Sequence, residues 1–258
     1  MTDVPYIQGS IREYDIKAAN INTLLQAGKI SQDTYDYLVR LPKQYREEFI
    51  GRLISTDKSI YESIHQGIIE AKQYLFESNH INDNEVIRIA NDAVYLWRSS
   101  PLTYTSYGEH ILFLVKGIYT SFAKIGPNAV FFNGSDYHNL QIEVIGMKKV
   151  LHYHTEGFLS FLVSILYMLE KAPIEDVLST YNRYYQQYIS RSLSYEHYRE
   201  FNQESNFRIG VNQDSVCSWT ISGFPENIER VDISYNAMLL RDIYQIILSV
   251  WKQQGAGR

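Results

Sequence analysis

Two aspartates carry the clearest chemical signal in the 258-residue sequence. Asp15 is the middle residue of the triplet Tyr14-Asp15-Ile16, at the end of an expected short strand that runs straight into a helical stretch within Ser10–Leu25, SIREYDIKAANINTLL. Asp92 lies in VIRIANDAVYLW, between two short apolar runs, as at the tip of a β-hairpin. Carboxylates at the ends of adjacent strands can share divalent cations, which is what phosphoryl chemistry needs. Taken singly, either aspartate reads more readily as a turn or helix-cap residue, and it is the pair in this order that favours the metal reading.

Such residues need a sheet with helices behind it, and the patterning supplies both. After Asp15, the residues Ala18, Ile21, Leu24 and Leu25 have helical spacing, which Ala27-Gly28-Lys29 stops. A second helix is expected over Gln32–Arg40, with Ser31 as N-cap and Leu41-Pro42 as its end. A charged helix over Lys43–Leu53 follows, then a long one over Lys58–Glu77 with Ile60, Ile64, Ile68, Ala71 and Leu75 at steps of three and four. Val86–Ala90 and Ala93–Trp97 form the hairpin, and Pro101–Tyr107 reads as loop. Ile111–Val115, Ile118–Phe122, Ala129–Phe132 and Gln141–Ile145 read as strands, divided by Gly126-Pro127-Asn128 and Asn133-Gly134. From about Lys148 the character is helical: Glu156–Lys171, Pro173–Arg191 and Ala237–Trp251, with polar loops or a small hairpin over Asn202–Glu229. The expected class is α+β: an antiparallel sheet backed by helices over residues 1–147, then a mainly helical domain over 148–258.

Composition narrows the function classes. A formal charge of −5 argues against broad adhesion to nucleic acid, which leaves a basic footprint, so any such grip must come from a local patch. One cysteine, Cys217, excludes an internal disulfide framework and a cysteine-based zinc site, and points to a reducing compartment. The N-terminus lacks the basic and apolar runs of a signal peptide. The longest apolar stretch, Phe158–Leu169, is shorter than the roughly 20 residues that cross a bilayer. A soluble, cytoplasmic protein with no membrane association is expected. Tyrosines cluster between Tyr181 and Tyr198, where Tyr181, Tyr184, Tyr185 and Tyr188 follow helical steps, so packing is favoured over stacking on bases. His152 and His154 alternate as strand ligands could, but no carboxylate or cysteine spacing completes a metal site.

Taken in order, these elements resemble the palm and thumb domains of family B (phage-type) DNA polymerases, from about Ile11 to about Phe201. The form is reduced, without an exonuclease domain and most of the fingers, of which residues 26–57 would be a vestige. The family's first motif, D-x-x-S-L-Y-P-S, follows a strand, and Asp15–Asn22, DIKAANIN, aligns with it without gaps. Asp15 takes the metal-binding position, and Asn20 that of a tyrosine whose ring packs under the incoming sugar. The second motif, K-x-x-x-N-S-x-Y-G, meets KQYREEFIG at Lys43–Gly51, where Glu47, Glu48 and Ile50 replace Asn, Ser and Tyr. The third, D-T-D-S at a hairpin tip, meets Ala90-Asn91-Asp92-Ala93, which keeps the second aspartate. Lys116-Gly117-Ile118-Tyr119 has the outer lysine and the tyrosine of a K-K-R-Y strand that contacts the primer, and Gln141–Lys148 is similar to the strand before the thumb.

The resemblance implies nucleotidyl transfer to a primer 3′-hydroxyl with two Mg²⁺ or Mn²⁺ ions held between Asp15 and Asp92. Lys43, Arg46 and Asn20 would bind the nucleotide, and Lys116 and Tyr119 the nucleic acid. The implied partners are primer–template DNA, nucleoside triphosphates and a second protein subunit that supplies the missing polymerase domains. The setting is DNA replication in the cytoplasm, that of the host if the protein is phage-encoded. Two other classes stay open: a catalytically inactive polymerase-like scaffold, which Ala90, Asn20 and Glu47-Glu48 favour, and a small self-contained primase-like or terminal nucleotidyltransferase.

Overall fold

The computed structural model describes residues 4–126, 128–135, 140–145, 156–194, 197–198 and 229–255. His152, His154, Lys148, Cys217 and nearly all of Asn202–Glu229 lie outside the described residues. The elements are β1 (Tyr6–Ile16), α1 (Ala19–Gln26), α2 (Gln32–Arg40), α3 (Lys43–Thr56), α4 (Lys58–Ser78), β2 (Val86–Ile89), β3 (Ala93–Trp97), β4 (Ser106–Tyr107), β5 (Ile111–Ile125), β6 (Asn128–Asn133), β7 (Gln141–Ile145), α5 (Glu156–Lys171), α6 (Ile174–Ile189) and α7 (Glu229–Gly255). This is an α+β fold with antiparallel strand pairing.

Contacts divide the chain into two units, residues 9–118 and residues 4–8 with 119–258, so β1 and β5 each contribute to both. The sequence draws its boundary at 147/148 instead. β6 pairs with the second half of β5 and β7 pairs with β6, so both strands fall in the second unit with the helices that follow them. β5 also runs unbroken over Ile111–Ile125, where the sequence expects two strands. The interruption at Lys116-Gly117 is polar and flexible, yet an extended backbone crosses it. A further difference is β4, a two-residue strand within the expected Pro101–Tyr107 loop, which pairs with Ile111 and Leu112 of β5.

In the first unit the strand order is β2-β3-β1-β5. Period-two alternation in β1 sends Tyr14 and Ile16 into an apolar core with Leu24 of α1, Leu38 of α2, Ile50 of α3 and the α4 stripe Ile60, Ile64, Ile68, Ala71 and Leu75. At about 1.5–3 kcal/mol for each fully buried large aliphatic side chain, this stripe fixes α4 to the sheet. The loop after β3 is tied to the end of α4 by Asn79, whose Oδ1 accepts from the amides of Thr103 and Tyr104 and whose Nδ2 donates to the Tyr104 carbonyl. Gly9 has φ +144°, and an added Cβ would lie 2.5 Å from Trp97 Nε1, so glycine is required there.

In the second unit Tyr6, Ala123, Ile125, Val130 and Phe132 share a core with α5, α6 and α7. Of the tyrosine steps expected on α6, Tyr181, Tyr184 and Tyr188 are buried while Tyr185 is exposed, and the Tyr181 hydroxyl donates to the Leu240 carbonyl at 2.8 Å. Tyr184 stacks on Phe161. Among the described residues no helix is long and apolar enough to cross a membrane.

Candidate functional site

Residues Ile11–Asp15 of β1 run antiparallel to β3, with Asp15 opposite Ala93. The next amide, Ile16 N–H, donates to the Asp92 carbonyl at 2.9 Å. The strand end that carries Asp15 is therefore bonded to the hairpin tip that carries Asp92. The tip is closed by Ala90 N–H donating to the Ala93 carbonyl at 2.8 Å, and is held from below by Lys72 of α4, whose Nζ donates to the Ala90 and Asn91 carbonyls at 3.1 Å each. Burial lowers the Lys72 pKa, and the negative charge of Asp92 works against that shift.

Both aspartates open into a cleft of about 410 Å³ that is also lined by Asn20, Lys43, Arg46, Glu47 and Lys116. Six of the seven site residues expected from the sequence thus line one cavity, with α1 and α3 forming the wall that faces the strand ends. Tyr119 does not join them. It is buried in the second unit, where it packs against Phe131 and its hydroxyl donates to the Glu143 carboxylate.

The turn from β1 into α1 passes through Ala18 at φ 46°, ψ 47°, a left-handed conformation that costs a non-glycine residue about 1–2 kcal/mol. Ala18 gives α1 no side-chain cap, and the first helical bond comes from the Asn22 amide, so the amides of Ala19, Asn20 and Ile21 precede the hydrogen-bonded ladder. All three residues line the cleft. A helix N-terminus presents partial positive charge, and with Lys43 and Arg46 it makes this wall electropositive. On the same helix as Lys43, Glu48 pairs with Arg52 at 2.6 Å, which leaves Glu47 as the acidic residue of α3 that lines the cavity.

Two residues that sequence reasoning passed over also shape the site. Glu13 lies two residues before Asp15, hence on the same face of β1, and its side chain is only 1% exposed. Lys116 from β5 bridges the pair, with Nζ 2.9 Å from Glu13 Oε1 and 3.1 Å from Asp15 Oδ2. The hydrogen bond to Glu13 is the leading cause that raises the Lys116 pKa, so this ammonium stays charged. Desolvation raises the Asp15 pKa; the Lys116 hydrogen bond opposes the shift and the Asp92 charge adds to it. The available signal for Glu13 was period-two spacing from Asp15. Lys72 gave none, because a lysine on an amphipathic helix reads as solvated.

The donor set bears on metal binding. Two carboxylates on adjacent strand ends, near enough for one to act on the ionisation of the other, suit a hard divalent cation completed by water and phosphate oxygens. Among the described residues no group of three His, Cys, Asp or Glu side chains gathers as a self-sufficient metal cage. A family model described as the bacteriophage PBS1 gene 130 protein matches residues 2–249. The comparison with curated proteins returned no match.

Proposed function

From a chain that belongs to the bacteriophage PBS1 gene 130 protein family, we infer a polymerase-derived nucleotidyl-transfer protein that works on primer–template DNA with a second subunit. The observation that supports it is the meeting of Asp15, Asp92, Asn20, Lys43, Arg46 and Lys116 in one cleft. Their chemistry divides the cavity into a carboxylate side and a cationic side, the polarity that a metal-bound polyphosphate requires.

In this reading Asp15 and Asp92 hold Mg²⁺ or Mn²⁺, which when bound lowers the pKa of a primer 3′-hydroxyl and offsets phosphate charge. Lys43, Arg46 and the first amides of α1 orient the triphosphate. Asn20 sits where a flat ring would otherwise press on the sugar, so selection against a 2′-hydroxyl is weak. Roughly 20 residues separate the first motif from Lys43, and they form only the rest of α1 and the short helix α2, which is why template binding is assigned to a partner.

Primer extension with dNTPs and Mn²⁺, by the chain alone or with its partner, tests this. Asp15→Ala and Asp92→Ala should each lower extension by about 10²-fold or more, the scale on which removed transition-state electrostatics act. Extension that survives both changes refutes the assignment. The place of Glu47 in the cleft favours a second reading, an inactive scaffold, since a carboxylate repels polyphosphate. That reading requires that Mn²⁺ with a nucleotide leave the melting temperature unchanged.

A further inference from the structure

We propose that Lys116 takes the place of one of the two divalent cations expected here, so that the cleft holds a single ion, between Asp15 and Asp92. This rests on the functional reading above and changes its chemistry. Lys116 Nζ lies 2.9 Å from Glu13 Oε1 and 3.1 Å from Asp15 Oδ2, the place between two carboxylates where a cation would otherwise sit.

Two observations converge. First, Asp15 Oδ2 is already engaged by an ammonium, whereas a pair of ions about 3.5–4 Å apart needs a carboxylate free to serve both. A divalent ion there would also meet the charge of Lys116 at close range. Second, Lys116 on Glu13 and Asp15 and the Lys72 ammonium near Asp92 already offset most of the carboxylate charge, which leaves little for a second divalent ion.

Lys116 is well placed for the role. Its partner Glu13 is 1% exposed, so the carboxylate is fixed and cannot turn to solvent. The Lys116 side chain itself is 57% exposed and lines the cleft, so its ammonium can meet a ligand oxygen while it remains on Glu13. Lysine thus acts as a tethered, monovalent counter-ion that positions Asp15.

The test counts Mn²⁺ per chain, by equilibrium dialysis with electron paramagnetic resonance, in the presence of an α,β-methylene deoxynucleoside triphosphate. The expected count is one for the unaltered protein. For Lys116→Met, which frees Asp15 Oδ2 of its ammonium, the expected count is two, with an unchanged circular dichroism spectrum. Two ions in the unaltered protein overturn the proposal even if the variant does not fold, and a folded variant that still binds one also overturns it. Loss of the functional reading looks different: no ion is bound at all and no primer is extended.

Discussion

Lys72 shows how a single side chain that never touches the cleft governs it. Its ammonium donates to the carbonyls of Ala90 and Asn91, the two residues immediately before Asp92. Hydrogen bonds to a charged group are worth about 1.5–3 kcal/mol, more than the neutral bond that closes the tip. Lys72→Met keeps the buried stem and removes both bonds. Urea unfolding should report a loss of about 1–3 kcal/mol, with faster amide exchange at Ala90 and Ala93. An unchanged midpoint would mean that the hairpin holds its own shape. The two aspartates were legible because strand ends and hairpin tips have local signatures in apolar runs and in Asn-Asp pairs. Glu13 and Lys72 were not, since their roles come from a strand face and a helix face that only packing turns inward. Tyr119 looked like a site residue because of its spacing from Lys116, but the chain passes from one core to the other between them.

Among the elements, α1 and α4 meet at Gly67, and α3 carries Gly51 without any close neighbour. The same substitution therefore has opposite consequences on the two helices. A Cβ at Gly67 would come within 2.2 Å of Thr23 Cγ2. Thr23 is buried and its hydroxyl donates to the Ala19 carbonyl one turn earlier, so it cannot swing away without leaving a polar group unpaired. Gly67→Ala should cost about 1–3 kcal/mol by overpacking. At Gly51 a Cβ meets nothing within 4 Å, so Gly51→Ala should raise stability by up to about 1 kcal/mol through helix propensity alone. Thermal unfolding of the pair decides the matter: shifts of the same sign would contradict the packing described here. Helices α2, α4, α5 and α6 were readable almost to the residue, because caps and apolar stripes at steps of three and four are local. The unbroken course of β5 was not, because pairing partners rather than its own Lys116-Gly117 step keep it extended.

At the scale of the molecule, the two apolar cores share no buried residue, whereas β1 and β5 pass through both units. This is why the unit boundary was invisible in the sequence: helical patterning begins near 147/148, but strand pairing assigns β6 and β7 to the helices that follow them. The arrangement has a thermodynamic consequence. Each core can be weakened separately, yet neither can melt while the backbone ladders of β1 and β5 stay intact, so unfolding should be one transition. Leu75, fully buried in the first core, and Ile247, fully buried in the second, provide the test. Leu75→Ala and Ile247→Ala should each cost about 2–5 kcal/mol. With no shared partners, the double variant should lose their sum to within about 0.5 kcal/mol. Urea titration followed by both fluorescence and circular dichroism should give coincident curves for all three variants. Two separate transitions, each moved by only one of the substitutions, would show instead that the shared strands do not couple the cores.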